Sequence, residues 1–239
     1  MKDYRLAVSG TAITWMHGDP MHFEVLIEDA SSSIALKSIL ESILGSNGQN
    51  HSWRLHSYRG LGRIPKGLNG KIDPQKRILL NNLPKALRGY GKSLQHSSQA
   101  VIVVVDLDTR DCMKFKQELL NVLVACKPKP NVLFRIAIEE SEAWLLGDRN
   151  AVKTAYPGAR DSVLNMYMQD SICGTWERLA DAIYQGGSAK LKERGWPDIG
   201  QAKCEWAQEI APHMDVDNNR SKSFQVFRDG VRKLAGINS

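Results

Sequence analysis

The hydrophobic pattern changes period about two-thirds of the way along the chain. In the first part, short apolar or alternating runs read as strands: Phe23-Glu-Val-Leu-Ile27, Trp53 to Tyr58, Val101 to Val105 and Val132 to Ile138. Helical stripes lie between them. Leu36, Ile39, Leu40, Ile43 and Leu44 recur at helical spacing, with Ser31-Ser-Ser33 placed to cap and Gly45 to stop the helix. Asp73-Pro74 reads as an N-cap and first helical residue ahead of Ile78, Leu79 and Leu80, and Pro84 is expected to kink or restart that helix. Phe115, Leu119, Val122, Leu123 and Cys126 form a third stripe, which Lys127-Pro-Lys-Pro130 ends. Strands alternating with helices predict an α/β fold: a mostly parallel sheet flanked by helices over residues 22–150. The unbroken β-branched run at Val101 predicts a strand buried on both faces. Past residue 150 the strand signals fade. Thr175 to Tyr184, Gln201 to Ile210 and Ser223 to Leu234 predict helices, so residues 151–239 are expected to form a helical C-terminal subdomain. Residues 1–21 have no clear period and read as an extension, with Met21 a candidate native start.

Composition narrows the class. Of 239 residues, 42% are hydrophobic and 24% charged, enough apolar material for a core, which excludes chain-wide disorder. No apolar run approaches the ~20 residues that span a bilayer, and the first residues lack the apolar stretch of a secretory signal. A cytoplasmic protein without a membrane partner is expected. Four scattered cysteines, none in a CxxC pair, read as reduced and mostly buried thiols.

The net charge of +6 is unevenly spread. From Arg54 to Lys92 there are ten basic residues and one acid, a net of +9, so the other 22 basic and 25 acidic residues sum to −3. The core of this block, Gly60 to Lys71, is a Gly-rich basic loop. Arg59, Arg63, Lys66, Lys71, Lys76 and Arg77 are the candidate phosphate contacts, with glycines that would let a phosphate backbone approach. A solvated basic surface or a protein-docking surface is the competing reading, because stacking aromatics are sparse there.

Acids end three of the four strands: Glu28 after the first, Asp106 and Asp108 after the third, and Glu139, Glu140 and Glu142 after the fourth. Ligands of parallel sheets bind beyond the carboxyl ends of the strands, so acids far apart in sequence would converge there. Such a group repels itself unless a cation intervenes, and hard oxygen donors suit Mg²⁺ or Mn²⁺. Asp106 and Asp108 would face one ion together if the chain stays extended between them. Glu139 or Glu142 would complete the shell, while Glu140 looks the least useful. Asp29 and Asp111 read as solvent-facing or capping residues. Each acid alone is better explained as a helix cap; the three strand ends together favour a metal site.

Glu28 after the first strand and Asp106-Leu-Asp108 after a later one resemble the Toprim pattern of topoisomerases, primases, recombination proteins and the overcoming-lysogenization-defect nucleases. Glu140-Ser-Glu142-Ala-Trp144-Leu-Leu-Gly-Asp148, Ile210-Ala-Pro-His213-Met-Asp215 and Ser221-Lys-Ser223-Phe224-Gln-Val-Phe227-Arg228-Asp229 resemble a bacterial Toprim-like family of unknown function, often encoded beside ATPases. This resemblance spans residues 22–236. It implies Mg²⁺-dependent cleavage of DNA or RNA, with Glu28 as general base or metal ligand and Asp106 and Asp108 as metal ligands. A role beside a partner ATPase in anti-phage defence or DNA maintenance is implied too. Many relatives carry Gly and then Thr-Glu after the first acid. Glu28-Asp-Ala-Ser-Ser-Ser33 departs from that, which leaves a second metal without its carboxylate and keeps open a non-catalytic subunit that docks an ATPase. An Mg²⁺-dependent phosphatase is a further alternative, weakened because Arg110 stands where that motif has Thr. Oligomeric state is not encoded in any of these features.

Overall fold

A computed structural model describes residues 19–68, 74–94, 96–171 and 174–237. The expectations for residues 1–18, Lys71, Asp73 and Cys173 lie outside the described residues.

Four strands, β1 (His22–Ile27), β2 (Ser52–Ser57), β3 (Gln99–Asp106) and β4 (Val132–Ala137), form one sheet in the order β2-β1-β3-β4. Every pairing is parallel. The helices are α1 (Ala30–Leu44), α2 (Leu79–Ser93), α3 (Cys112–Val124), α4 (Glu142–Leu146), α5 (Arg149–Ala155), α6 (Asp161–Met166), α7 (Thr175–Ile183), α8 (Gly187–Arg194), α9 (Trp196–Ile210) and α10 (Lys222–Ala235). The fold is therefore the expected Toprim-like α/β arrangement, with an entirely parallel sheet.

Alternation along the strands makes two cores. Phe23, Val25 and Ile27 of β1 with Ile102 and Val104 of β3 face α1 and the C-terminal helices. Leu26, Val101, Val103 and Val105 face the other way, onto Leu80, Leu83 and Leu87 of α2 and Phe115 and Leu119 of α3. α9 lies along α1, and α10 packs on β4. Trp144 locks α4 to α10. Its ring stacks on Phe227 at 4.9 Å, meets Phe224 edge-on at 5.7 Å, and its Nε1–H donates to Ser223 Oγ at 3.0 Å.

Capping differs from the sequence reading in two places. Asp29 caps α1 by accepting from the Ser32 N–H at 2.8 Å, while Ser31 and Ser32 are buried inside the helix. α2 starts at Leu79, after a short 3₁₀ turn at Pro74–Lys76, and runs unbroken through Pro84. Asp111 caps α3 by accepting from the Lys114 N–H.

Gly91 on α2 sits where a Cβ would come within 2.0 Å of the Pro128 carbonyl oxygen. Inside an exposed helix, Gly to Ala normally gains about 1 kcal/mol. Here the neighbour is backbone and cannot yield, so Gly91→Ala is expected to destabilise by about 1–3 kcal/mol. A lowered urea midpoint with an unchanged slope checks this.

Near the start of β1, Glu24 is buried and paired with two histidines, His56 Nε2 and His22 Nε2. Burial pushes its carboxyl up, but the two imidazoles outweigh that and hold it below its usual value. This pair staples β1 to β2 on the α2 side of the sheet.

Candidate metal centre

The order β2-β1-β3-β4 reverses direction between β1 and β3, which makes that junction the switch point of the sheet. Glu28 follows β1 and Asp106 ends β3, so the two acids meet there. The Asp106 N–H donates to Glu28 Oε2 at 3.2 Å. Asp106 is 6% exposed. Burial raises its carboxyl well above the ordinary value, and the charges of Glu28, Asp29 and Glu142 add to the effect. Glu28 is pushed up to about 7 by burial, partly opposed by the Asp106 N–H, with Asp108 and Asp29 raising it further.

Asp108 does not follow Asp106 in an extended chain. β3 ends at Asp106, and Asp108 turns through φ 51° into the left-handed region. Its N–H donates to the Glu139 carbonyl at 2.9 Å. The expected shared face of Asp106 and Asp108 therefore does not form: Asp108 is exposed, at the mouth of the site. Burial still raises its carboxyl, against the pull of Arg110 and Lys203.

The fourth strand end divides its acids. Glu139 leaves the cluster, because its carboxylate accepts from the Gly174 and Thr175 N–H groups at 2.8 Å each, and from Thr175 Oγ1. It caps α7, a role that satisfies the free N–H groups and the helix dipole. Glu142 faces inward, 2% exposed. Glu140, set aside in the sequence reading, also faces inward; burial and the charge of Glu142 push it up to about 8.

Between these acids stands a residue the sequence reading missed. Lys203 of α9 places Nζ 3.1 Å from Glu142 Oε2 and 3.6 Å from Glu140 Oε2. Burial pulls its ammonium down, but Glu142, Glu140, Asp106 and Asp29 outweigh that and raise it. Lys203 was findable: with Ile199, Trp206 and Ile210 it sits at i, i+4, i+7 and i+11 on the apolar face of α9. A lysine on a buried stripe needs a carboxylate partner. After Glu28, at the start of α1, two hydroxyls stand beside the cluster. Ser31 Oγ lies 3.5 Å from Glu142 Oε1, and Ser32 Oγ lies 2.7 Å from Ser141 Oγ.

The donor set fits a divalent cation in kind. It offers hard carboxylate oxygens, and burial together with mutual repulsion already raises several of them. Glu140 Oε2 and Glu142 Oε2 are buried with no aligned hydrogen bond, only the charge of Lys203 nearby. A closed shell is absent: among the described residues no three His, Cys, Asp or Glu side chains are set to hold one ion together. Glu28 and Asp106 are the pair positioned to start one.

These raised carboxyls make a pH prediction. A group whose folded pKa exceeds its unfolded value contributes stability at low pH and loses it as pH rises through the folded value. For Glu28 and Glu140 that window runs from about 4.5 to about 8. The metal-free protein is expected to melt at lower temperature at pH 8 than at pH 5. Glu140→Gln should flatten that dependence in a thermal-denaturation series.

The basic loop is tied to the acidic edge through hydrogen bonds of its backbone. The Gly60 N–H donates to the Glu28 carbonyl at 3.0 Å, and Arg110 Nη2 donates to the Gly62 carbonyl at 3.3 Å. Gly62 has φ 69°, and a Cβ there would meet Ile78 Cγ2 at 2.0 Å. Its missing side chain serves packing on α2 and not an approach to phosphate. Arg59, Arg63, Lys66, Lys76 and Arg77 are all exposed. Arg77 is partly committed, donating from Nη2 to the Ser57 carbonyl at 2.7 Å. Arg63 joins Arg110 and Lys114, outside the predicted block, around an open groove of about 730 Å³ floored by Phe115. No helix among the described residues is long and apolar enough to cross a membrane.

The parallel sheet flanked by helices matches the Toprim-like description of an α/β fold, with acids at the ends of its strands. Within that class, the chain matches a family model described as Domain of unknown function (DUF4276) over residues 27–233, and it belongs to that family. Among solved structures, it is similar to the C-terminal region of the Xanthomonas campestris pv. campestris OLD protein, at 14% identity and a TM-score of 0.43, covering 90% of this chain and 95% of that one. No curated protein matches the chain. Other residues of the motifs that carry the resemblance serve the packing. Asp148 caps α5 and accepts from the Asp215 N–H, Ser221 caps α10, and Trp144, Phe224 and Phe227 form the aromatic lock.

Proposed function

We propose that this protein is a metal-dependent nuclease that hydrolyses phosphodiester bonds of DNA or RNA. The observation that carries this reading is the convergence of Glu28, Asp106, Glu142 and Glu140 on Lys203 at the switch point, with a basic loop tied to the same edge. Glu28 and Asp106 would hold Mg²⁺ or Mn²⁺, with Asp108 at the mouth and Glu142 behind. The ion would supply Lewis-acid stabilisation of the phosphoryl group. If Asp106 and its neighbours hold the ion without it, Glu28 would instead take a proton from the attacking water. Lys203 sets positive charge beside the carboxylates, where the phosphate gains negative charge. Arg59, Arg63 and Lys66 hold flanking phosphates.

Incubating the purified chain with plasmid DNA and with RNA tests this. Cleavage should need Mg²⁺ or Mn²⁺ and should be lost in Glu28→Gln. The loop has its own prediction: Arg63→Glu with Lys66→Glu should weaken nucleic-acid binding at least tenfold and lessen its salt dependence. Lys222→Glu with Lys233→Glu, two exposed residues of α10, should change it less than twofold.

The absence of a closed ligand shell among the described residues favours a second reading, a non-catalytic subunit that docks a partner ATPase. Cleavage only with a partner ATPase present would mark a partner-dependent effector, in a defence or DNA-maintenance system. No cleavage under either condition would favour docking alone.

A further inference from the structure

The carboxylate cluster has a second approach, on the α1 and α9 side of the sheet. A cavity of about 410 Å³ runs from solvent to Lys203 and Glu140. One face of α9 lines it: Trp196, Ile199, Gly200 and Lys203 follow at i, i+3, i+4 and i+7. Trp196 stands at the rim and is 77% exposed, while Trp176 forms a buried wall. A Cβ at Gly200 would meet nothing within 4 Å, so open space lies above α9 between the exposed indole and the lysine.

We propose that this cavity takes one unpaired nucleobase of the strand being cleaved. The proposal rests on the nuclease reading and names its substrate as single-stranded or locally unpaired. An exposed indole beside an open slot is a stacking platform, and stacking is indifferent to which base lies on it. Asp29 and Glu140 line the same cavity. The Asp29 carboxylate is unfavourable to a phosphate, and the Glu140 carboxyl oxygens can accept from the exocyclic amine of a base. The base therefore enters while the backbone stays outside, toward the basic loop. A base within a duplex is stacked and paired on all sides and reaches such a slot only by leaving the helix.

The test reads binding without turnover. Labelled 12-nucleotide DNA, the same RNA, and a 12-base-pair duplex are titrated with the full chain in EDTA by fluorescence anisotropy. Trp196→Ala removes the platform. Gly200→Leu fills the open space, and because Leu favours a helix over Gly the fold is retained, which a melting curve verifies. Both variants should weaken single-strand binding tenfold or more and change duplex binding less than twofold; the tighter of the DNA and RNA strands identifies the sugar preferred. Single-strand affinity within twofold of wild type in Gly200→Leu overturns the proposal. So does equal loss on strand and duplex, or failure of the wild-type chain to bind either strand. If cleavage is intact and Gly200→Leu binds normally, the base site alone fails. If the chain never cleaves yet the single-strand effect holds, the nuclease reading alone fails.

Discussion

Asp106→Asn is expected to lower cleavage by at least about a thousandfold, a loss of about 4 kcal/mol of barrier stabilisation. Asp106 is buried beside Glu28, and its own backbone N–H donates to the Glu28 carboxylate. An amide keeps the shape and that N–H, but removes the charge that would hold the ion. Asp108→Asn should cost much less, because Asp108 lies exposed in a left-handed turn. Asp106→Asn should also raise the melting temperature of the metal-free protein. It removes one charge from a buried group that Glu28, Asp29 and Glu142 repel. Lower activity together with higher stability separates a site acid from a structural one. A cleavage assay and a thermal melt on the same preparation read both.

Lys203→Met should have the largest effect on stability. It leaves Glu142, 2% exposed, and Glu140 without their cation. Breaking a buried pair from one side typically costs about 3–5 kcal/mol. The loss should appear in urea denaturation and should shrink as pH falls, because the stranded carboxyls then take up protons. Glu142→Gln added to Lys203→Met should recover part of it, since the double variant no longer buries an unpaired charge. Cleavage should stay low in both, because neither restores positive charge beside the phosphate. A lysine that merely filled space would show a pH-independent loss and no recovery.

The strands and their acids were legible because each depends on a few neighbouring residues: Val101 to Val105 is a buried strand by composition, and Asp106 ends it. What a strand does after its last paired residue is not local. Asp108 turns away because its N–H is claimed by Glu139 at the end of β4. Glu139 caps α7, an element more than thirty residues later in the chain. Reading Glu139 and Glu142 as equal candidates therefore missed a division made by tertiary contacts. Glu140 was discounted because its cation, Lys203, comes from a distant helix with no motif around it. The buried stripe of α9 held that signal, but only for a reader asking what a lysine does on an apolar face. The Trp144 segment was conspicuous in sequence and belongs to the aromatic lock between α4 and α10.

The switch-point carboxylates are expected to form a divalent-metal site, and Mn²⁺ reports on this directly without substrate or partner. Titrating Mn²⁺ into the purified chain and following the free-ion signal by electron paramagnetic resonance should show saturable binding in the wild type, displaced by Mg²⁺ and lost in Asp106→Asn. Equal Mn²⁺ binding by the wild type and Asp106→Asn, or no binding by the wild type at neutral pH, would contradict the account.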